Sequence, residues 1–215
     1  MALGLLGRKI GMTQFNTDKG DRLPVTVVEA GPCLVMEKKT VERDGYSALK
    51  IAFGERKPKR TPKAQKIAFE KVKSTPKRVI REFRVTSEEL GNFEEGQQIL
   101  LKDLFAAGQT VDIAGTTKGR GFTGVVKKWG MKGNNRTHGS HETFRGPGSI
   151  GSNTTPGLVY KNKKMPGHYG TDRVTTRNLQ IVHVDLDKNC LLIHGAVPGA
   201  PDGFLEIHPH STPTT

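Results

Sequence analysis

A mainly β protein is expected: a small closed β-barrel carrying a small α/β insertion and a long, basic, glycine-rich extension. Short runs of β-branched or alternating apolar residues recur near both ends of the chain, whereas helix signals cluster in the middle. The segment from Gly115 to Arg173 holds 13 of the 26 glycines and 11 Lys/Arg, against only Glu142 and Asp172. A segment of that length with so little to bury has a function or is disordered.

The strands are expected at "LPVTVVEA" (23–30), "SALKIAFG" (47–54), "QTVDIAG" (109–115), "NLQIVHVDLD" (178–187) and "CLLIHGAV" (190–197), each bounded by Gly, Pro, Asp or Asn. Asp187, Lys188 and Asn189 form a tight turn between the last two, and the chain also turns at Asp44-Gly45. Neither end supplies enough strands to close a sheet alone, so strands from both ends must pair. "TPKAQKIAFEKV" (61–72) reads as a helix capped by Thr61 with Pro62 at its first position. "TSEEL" (86–90) opens like a capped helix that stops at Gly91, and "LKDLFAAG" (101–108) ends as a helix C-terminus does. The expected organisation is a barrel core from 1–54, 99–115 and 173–210, an insertion at 55–98, a long extended loop at 116–172 and a tail at 211–215.

The 215 residues can bury a core, but 34% hydrophobic content with a net charge of +13 implies polar extensions on it. A pI of 9.9 points to nucleic acid or an anionic membrane. The charge lies in two blocks: 55–84, with 12 cations to 3 acids, and the glycine-rich segment. By contrast, 85–114 holds six carboxylates and only Lys102. No run approaches the ~20 apolar residues of a membrane span, and no basic amphipathic helix or lipidation site appears, so nucleic acid is favoured. "MALGLLGRKIGM" has too short an apolar run for a signal peptide, and its cations follow that run. Cys33 and Cys190 read as free thiols of a reducing cytoplasm. Without secretion, the sequons at Asn135 and Asn153 carry no glycosylation.

Gly119 to Gly124 is a literal G-x-G-x-x-G after an expected strand, which invites a nucleotide site. The phosphate-holding helix that such a loop needs is broken here by Gly130 and Gly133, and no second kinase motif follows. His138, His141 and His168 lack the cysteines and spacing of a zinc site and read as polar or RNA-contacting side chains. No metal or cofactor is expected. Lys118, Arg120, Lys127, Lys128, Lys132, Arg136, Arg145, Lys161, Lys163 and Lys164 recur through the segment with only Glu142 to offset them. Glycines between them let backbone approach phosphate, and Trp129, Phe144, Tyr160 and Tyr169 are placed to stack on unpaired bases. "FRGPGSIGSNTTPG" (144–157) offers nothing to bury beyond Phe144 and Ile150. Such a segment is expected to be ordered by a polyanion.

"GLLGRKIGMTQFN" (4–16), "DIAGTTKGRGFTGVVKKWG" (112–130), "RGPGSIGSNTTPGLVYKNKKMPGHYG" (145–170) and "LLIHGAVPGAPDG" (191–203) resemble the bacterial form of the universal ribosomal protein three of the large subunit. The resemblance runs from end to end. It implies a six-stranded translation-protein-type barrel with a central extension. It also implies a structural constituent of the large (50S) subunit, located on the ribosome in the cytoplasm. The implied partners are 23S rRNA, bound directly and early to nucleate assembly, and neighbouring large-subunit proteins, with no membrane and no small-molecule substrate. The implied RNA-binding set is the ten cations above with Trp129, His138, His141 and His168, joined by Arg8, Lys9 and Arg173. Ser152, Asn153, Thr154 and Thr155 are implied to lie nearest the peptidyl transferase centre. Many bacterial members carry a methylated glutamine in this tip loop; no glutamine stands there in this chain, so that modification is not carried over. The alternative is a nucleotide-using or RNA-modifying enzyme built on residues 119–124. An enzyme would need convergent groups on rigid elements, and the sequence shows none.

Overall fold

A computed structural model describes residues 3–17, 20–139 and 142–210. His141 and the expected tail at 211–215 lie outside the described residues. Contacts divide the chain into two units, residues 1–116 with 173–215 and residues 117–172.

The first unit contains strands β1 (Leu5–Asn16), β2 (Arg22–Ala30), β3 (Cys33–Lys39), β4 (Ala48–Glu55), β5 (Lys77–Arg84), β6 (Gln98–Ile99) and β7 (Thr110–Thr116). After β8 (Phe122–Thr123) and β9 (Gly167–His168) of the second unit, it resumes with β10 (Arg173–Asp185), β11 (Cys190–His194) and β12 (Phe204–Pro209). Six strands pair antiparallel in the cyclic order β1-β12-β7-β10-β11-β2, with β2 returning to β1. The two chain ends meet at Leu5↔Ile207 and Gly7↔Leu205. Val111, Ile113, Ile181, Leu191, Ile193, Leu205 and Ile207 alternate along their strands and are buried in one core. Gly115 is needed on β7, because a Cβ there would lie 2.7 Å from Leu205 Cδ2 and 3.2 Å from the Pro198 carbonyl. The β10–β11 hairpin turns at 186–189, with Asn189 left-handed at φ 51° and the Asp185 carboxylate accepting from the Lys188 N–H at 3.1 Å.

The expectation that 1–54 belongs wholly to the barrel fails at Cys33. Strands β3 and β4 pair in a separate four-stranded sheet of order β5-β4-β3-β6. Both faces of β4 are covered, which explains its nearly continuous apolar sequence. Leu49, Ile51 and Phe53 join the core shared with the ring, while Ala52 joins Leu34, Met36 and Phe69 in a second cluster. Phe69 comes from helix α2 (Lys63–Lys71), which follows the one-turn α1 (Val41–Asp44). Thr61 does not cap α2: its hydroxyl donates to the Lys57 carbonyl at 3.2 Å, and Pro62 takes the cap position. The cap expected at the start of helix α3 (Ser87–Gly91) is present as a capping box, Thr86 with Glu89. The helix expected at 101–108 is only a 3₁₀ turn, Leu101–Asp103. The donors a longer helix would use go elsewhere: Ala106 N–H donates to the Gln109 side chain at 3.2 Å and Gly108 N–H to Ile181 O at 2.8 Å.

Candidate nucleic-acid interface

Residues 117–172 begin as an antiparallel pair of segments. Thr117 N–H donates to Asp172 O at 2.9 Å, Arg120 N–H to Tyr169 O at 2.8 Å and Tyr169 N–H to Gly121 O at 3.0 Å, leading into the β8–β9 ladder, Phe122↔His168 and Thr123↔Gly167. The two segments lie close enough that a Cβ on Gly170 would stand 2.1 Å from the Lys118 carbonyl, and Gly170 has φ 81° besides. Helix α4 (Val125–Trp129) is a single turn ended by Gly130 at φ 69°. It is too short to serve as the phosphate-holding helix of the G-x-G-x-x-G reading. Trp129 is anchored by its indole N–H to Met165 O at 2.8 Å.

Beyond this root the backbone has few partners of its own. Among the described residues from 131 to 166, its backbone–backbone hydrogen bonds are Asn134 to Phe144, Gly146 to Thr143 and Lys163 to Tyr160. Val125 is the one buried hydrophobic side chain among the described residues of the unit. The tip residues Ser152, Asn153, Thr154 and Thr155 are all exposed and uncharged. Nothing among the described residues of this unit resembles a core.

The cations distribute into two kinds. Lys118, Arg120, Lys127, Lys132, Arg136, Arg145, Lys161, Lys163 and Lys164 are exposed and Lys128 is half-buried. Among the described residues none of these ten has a carboxylate within ion-pair distance. Three lie against aromatic rings of their own unit: Arg120 over Tyr169 at 5.8 Å, Lys128 over Trp129 at 5.1 Å and Arg136 over Phe144 at 5.8 Å. His138 and His168 are exposed, and no group of three or more His, Cys, Asp or Glu among the described residues is placed to hold a metal ion. Arg8, Lys9 and Arg173 belong to the other unit and have internal partners. Arg8 reaches Glu29 at 2.7 Å and Asp202 at 3.5 Å, and the hydrogen bond to Glu29 raises its already high pKa. Lys9 is buried and donates to Val197 O at 2.9 Å and Gly199 O at 3.3 Å. Arg173 shares Glu206 with Arg81. Sequence reasoning passed over Phe122, whose ring is 81% exposed on the β8–β9 ladder between Arg120 and His168. Its signal was present, an aromatic side chain within the glycine motif itself.

Residues 59–191 match the family described as Ribosomal protein L3. A protein of Myxococcus xanthus named Large ribosomal subunit protein uL3 is 50% identical over 207 residues, covering 96% of this chain and 92% of its own. The proteins of that name from Oceanobacillus iheyensis and Pseudomonas syringae are 49% and 46% identical, each across 97% of its own length and 96% and 97% of this chain. The chain therefore belongs to the ribosomal protein L3 family, structural proteins of the large ribosomal subunit and not enzymes.

Proposed function

We propose that this protein binds 23S rRNA directly and early in assembly of the 50S subunit, helping to nucleate it, and that residues 117–172 are its principal RNA contact. In this reading the six-strand ring is a barrel of the translation-protein type, and neighbouring ribosomal proteins pack on the first unit. The observation that carries the reading is the set of ten cations between Lys118 and Lys164 with no carboxylate partner among the described residues. Cations kept from internal neutralisation on a glycine-rich backbone suit phosphate neutralisation and counterion release. Phe122 and Tyr160, 81% and 69% exposed, are the aromatic surfaces of this unit most open for stacking on unpaired bases. The uncharged tip, Ser152 to Thr155, adds little attraction to phosphate and acts by position, packing against RNA that shapes the peptidyl transferase centre.

The test is the salt dependence of binding to a 23S rRNA transcript. If about five of these cations neutralise phosphates, log K falls against log salt with a slope of roughly −4 to −5. Lys163→Ala with Lys164→Ala flattens that slope by about one to two units. A slope near zero, or one indifferent to these lysines, contradicts the reading.

A further inference from the structure

The other basic block, 55–84, has no part in the function proposed so far, although it carries 12 cations against 3 acids. Where β4 ends and β5 begins, it forms a hollow of about 520 Å³ lined by Glu55, Arg56, Lys57, Arg60 and Arg78. Every lining residue is charged, and four of the five are cationic. Among the described residues, none of these four cations has a carboxylate within ion-pair distance, Glu55 included.

The hollow is held in shape before anything binds. Arg56 N–H donates to Pro76 O at 3.0 Å, tying the strand ends together past the last ladder pair, Glu55↔Lys77. The cations at 57 and 60 flank and end a 3₁₀ turn, Pro58–Arg60, closed by Arg60 N–H to Lys57 O at 2.9 Å. Thr61, 7% exposed, bonds the same Lys57 carbonyl from its hydroxyl. Arg78 is steadied over the Phe204 ring at 5.1 Å. Fixing these side-chain bases reduces the ordering cost of binding. A protein partner would want apolar anchors at the centre of its contact, and the lining offers none. Three guanidiniums and an ammonium suit the repeated oxygens of a phosphodiester chain.

We infer that this hollow is a second RNA phosphate-binding site, separate from residues 117–172 and formed by the end of the four-stranded sheet. It rests on the reading of this protein as an rRNA binder. The probe is the full chain with a 23S rRNA transcript, titrated across salt. Lys57→Ala with Arg60→Ala flattens the slope by about two units, a loss on the order of 60-fold near 0.1 M salt. Both side chains are exposed, so the melting temperature stays within a degree or two of the parent. The charge-preserving pair Lys57→Arg with Arg60→Lys keeps the slope. The effect adds to that of Lys163→Ala with Lys164→Ala, and hydroxyl-radical footprints show the two pairs losing protection at different RNA segments. An unchanged slope for the 57/60 pair, while the 163/164 pair flattens it, overturns the second site and leaves the first intact. If neither pair changes the slope, both fall. A crosslinker at position 60 that captures a ribosomal protein in the assembled subunit, and no RNA, also overturns the inference.

Discussion

The two units of this chain differ in how their cations are partnered. In residues 1–116 and 173–215 some are tied to carboxylates, as Arg8 to Glu29, Arg43 to Glu37 and Asp44, and Arg81 and Arg173 to Glu206, while, among the described residues, those of the hollow at 55–60 and 78 are not. In residues 117–172 none among the described residues is. Apolar burial divides the same way, with a core of Leu5, Ile51, Ile113, Leu191 and Ile207 in one unit and, among the described residues, Val125 alone in the other. A cation with an internal partner belongs to the fold, and one without is left for something else to neutralise. Net charge alone does not separate these roles. What separates them is where the carboxylates lie.

The contrast breaks most visibly under charge removal. Replacing Lys118, Lys127, Lys161 and Lys163 together with Ala is expected to cost RNA affinity by roughly three to four decades near 0.1 M salt, at about 0.9 decade per contact. Thermal unfolding of the same variant is expected to be unchanged, since these side chains are exposed and, among the described residues, without carboxylate partners. In the first unit the expectation reverses. Ile113→Ala opens a cavity in the shared core and lowers stability by about 2–5 kcal/mol, read by denaturant unfolding, while the RNA salt slope of the folded fraction is kept.

A smaller effect is expected at Glu206. Burial resists its ionisation, yet the hydrogen bonds from Arg173 and Arg81 outweigh burial and hold the carboxyl below the ordinary range. Its contribution is therefore present above the unfolded carboxyl pKa, about 4.3, and is lost as pH falls through the lower folded value. Glu206→Gln lowers stability at neutral pH by roughly 1 kcal/mol, discounted because both arginines are largely exposed, and makes the acid limb of a stability–pH curve shallower. Burial holds His208 below the usual imidazole range, so the limb begins higher, from about pH 6.5 downwards. The smallest effect on binding is expected at the tip. Asn153→Trp or Thr154→Trp leaves affinity and subunit profiles near normal and shifts the response to antibiotics that bind the peptidyl transferase centre.

Much of the ring was legible, because β2, β7, β10 and β11 alternate apolar and polar residues between clear turn signals. Strand β1 was not, since glycines at 7 and 11 and the pair Arg8-Lys9 interrupt its apolar pattern. Nor was β5, "KRVIREFR", whose cations hide a strand that pairs with β4 along most of its length. Assignment of β4 to the ring failed for a different reason: a strand buried on both faces does not announce which sheet it joins. The candidate interface was legible in its cations and glycines, which are local in sequence. The internal partners of Arg8 and Arg173 were not, because Glu29, Asp202 and Glu206 stand 21 to 194 positions away and only the fold brings them close.

Amide hydrogen exchange on the full chain, with and without a 23S rRNA transcript, tests most directly whether one unit is held by its own core and the other by RNA. In free protein the amides of Ile113, Leu191 and Ile207 are expected to be strongly protected, while those of 130–165 exchange freely. Adding the transcript is expected to slow exchange across 130–165 and leave the ring amides as they were. Equal, strong protection of 130–165 in the free protein would contradict the account and make that segment a packed domain in its own right.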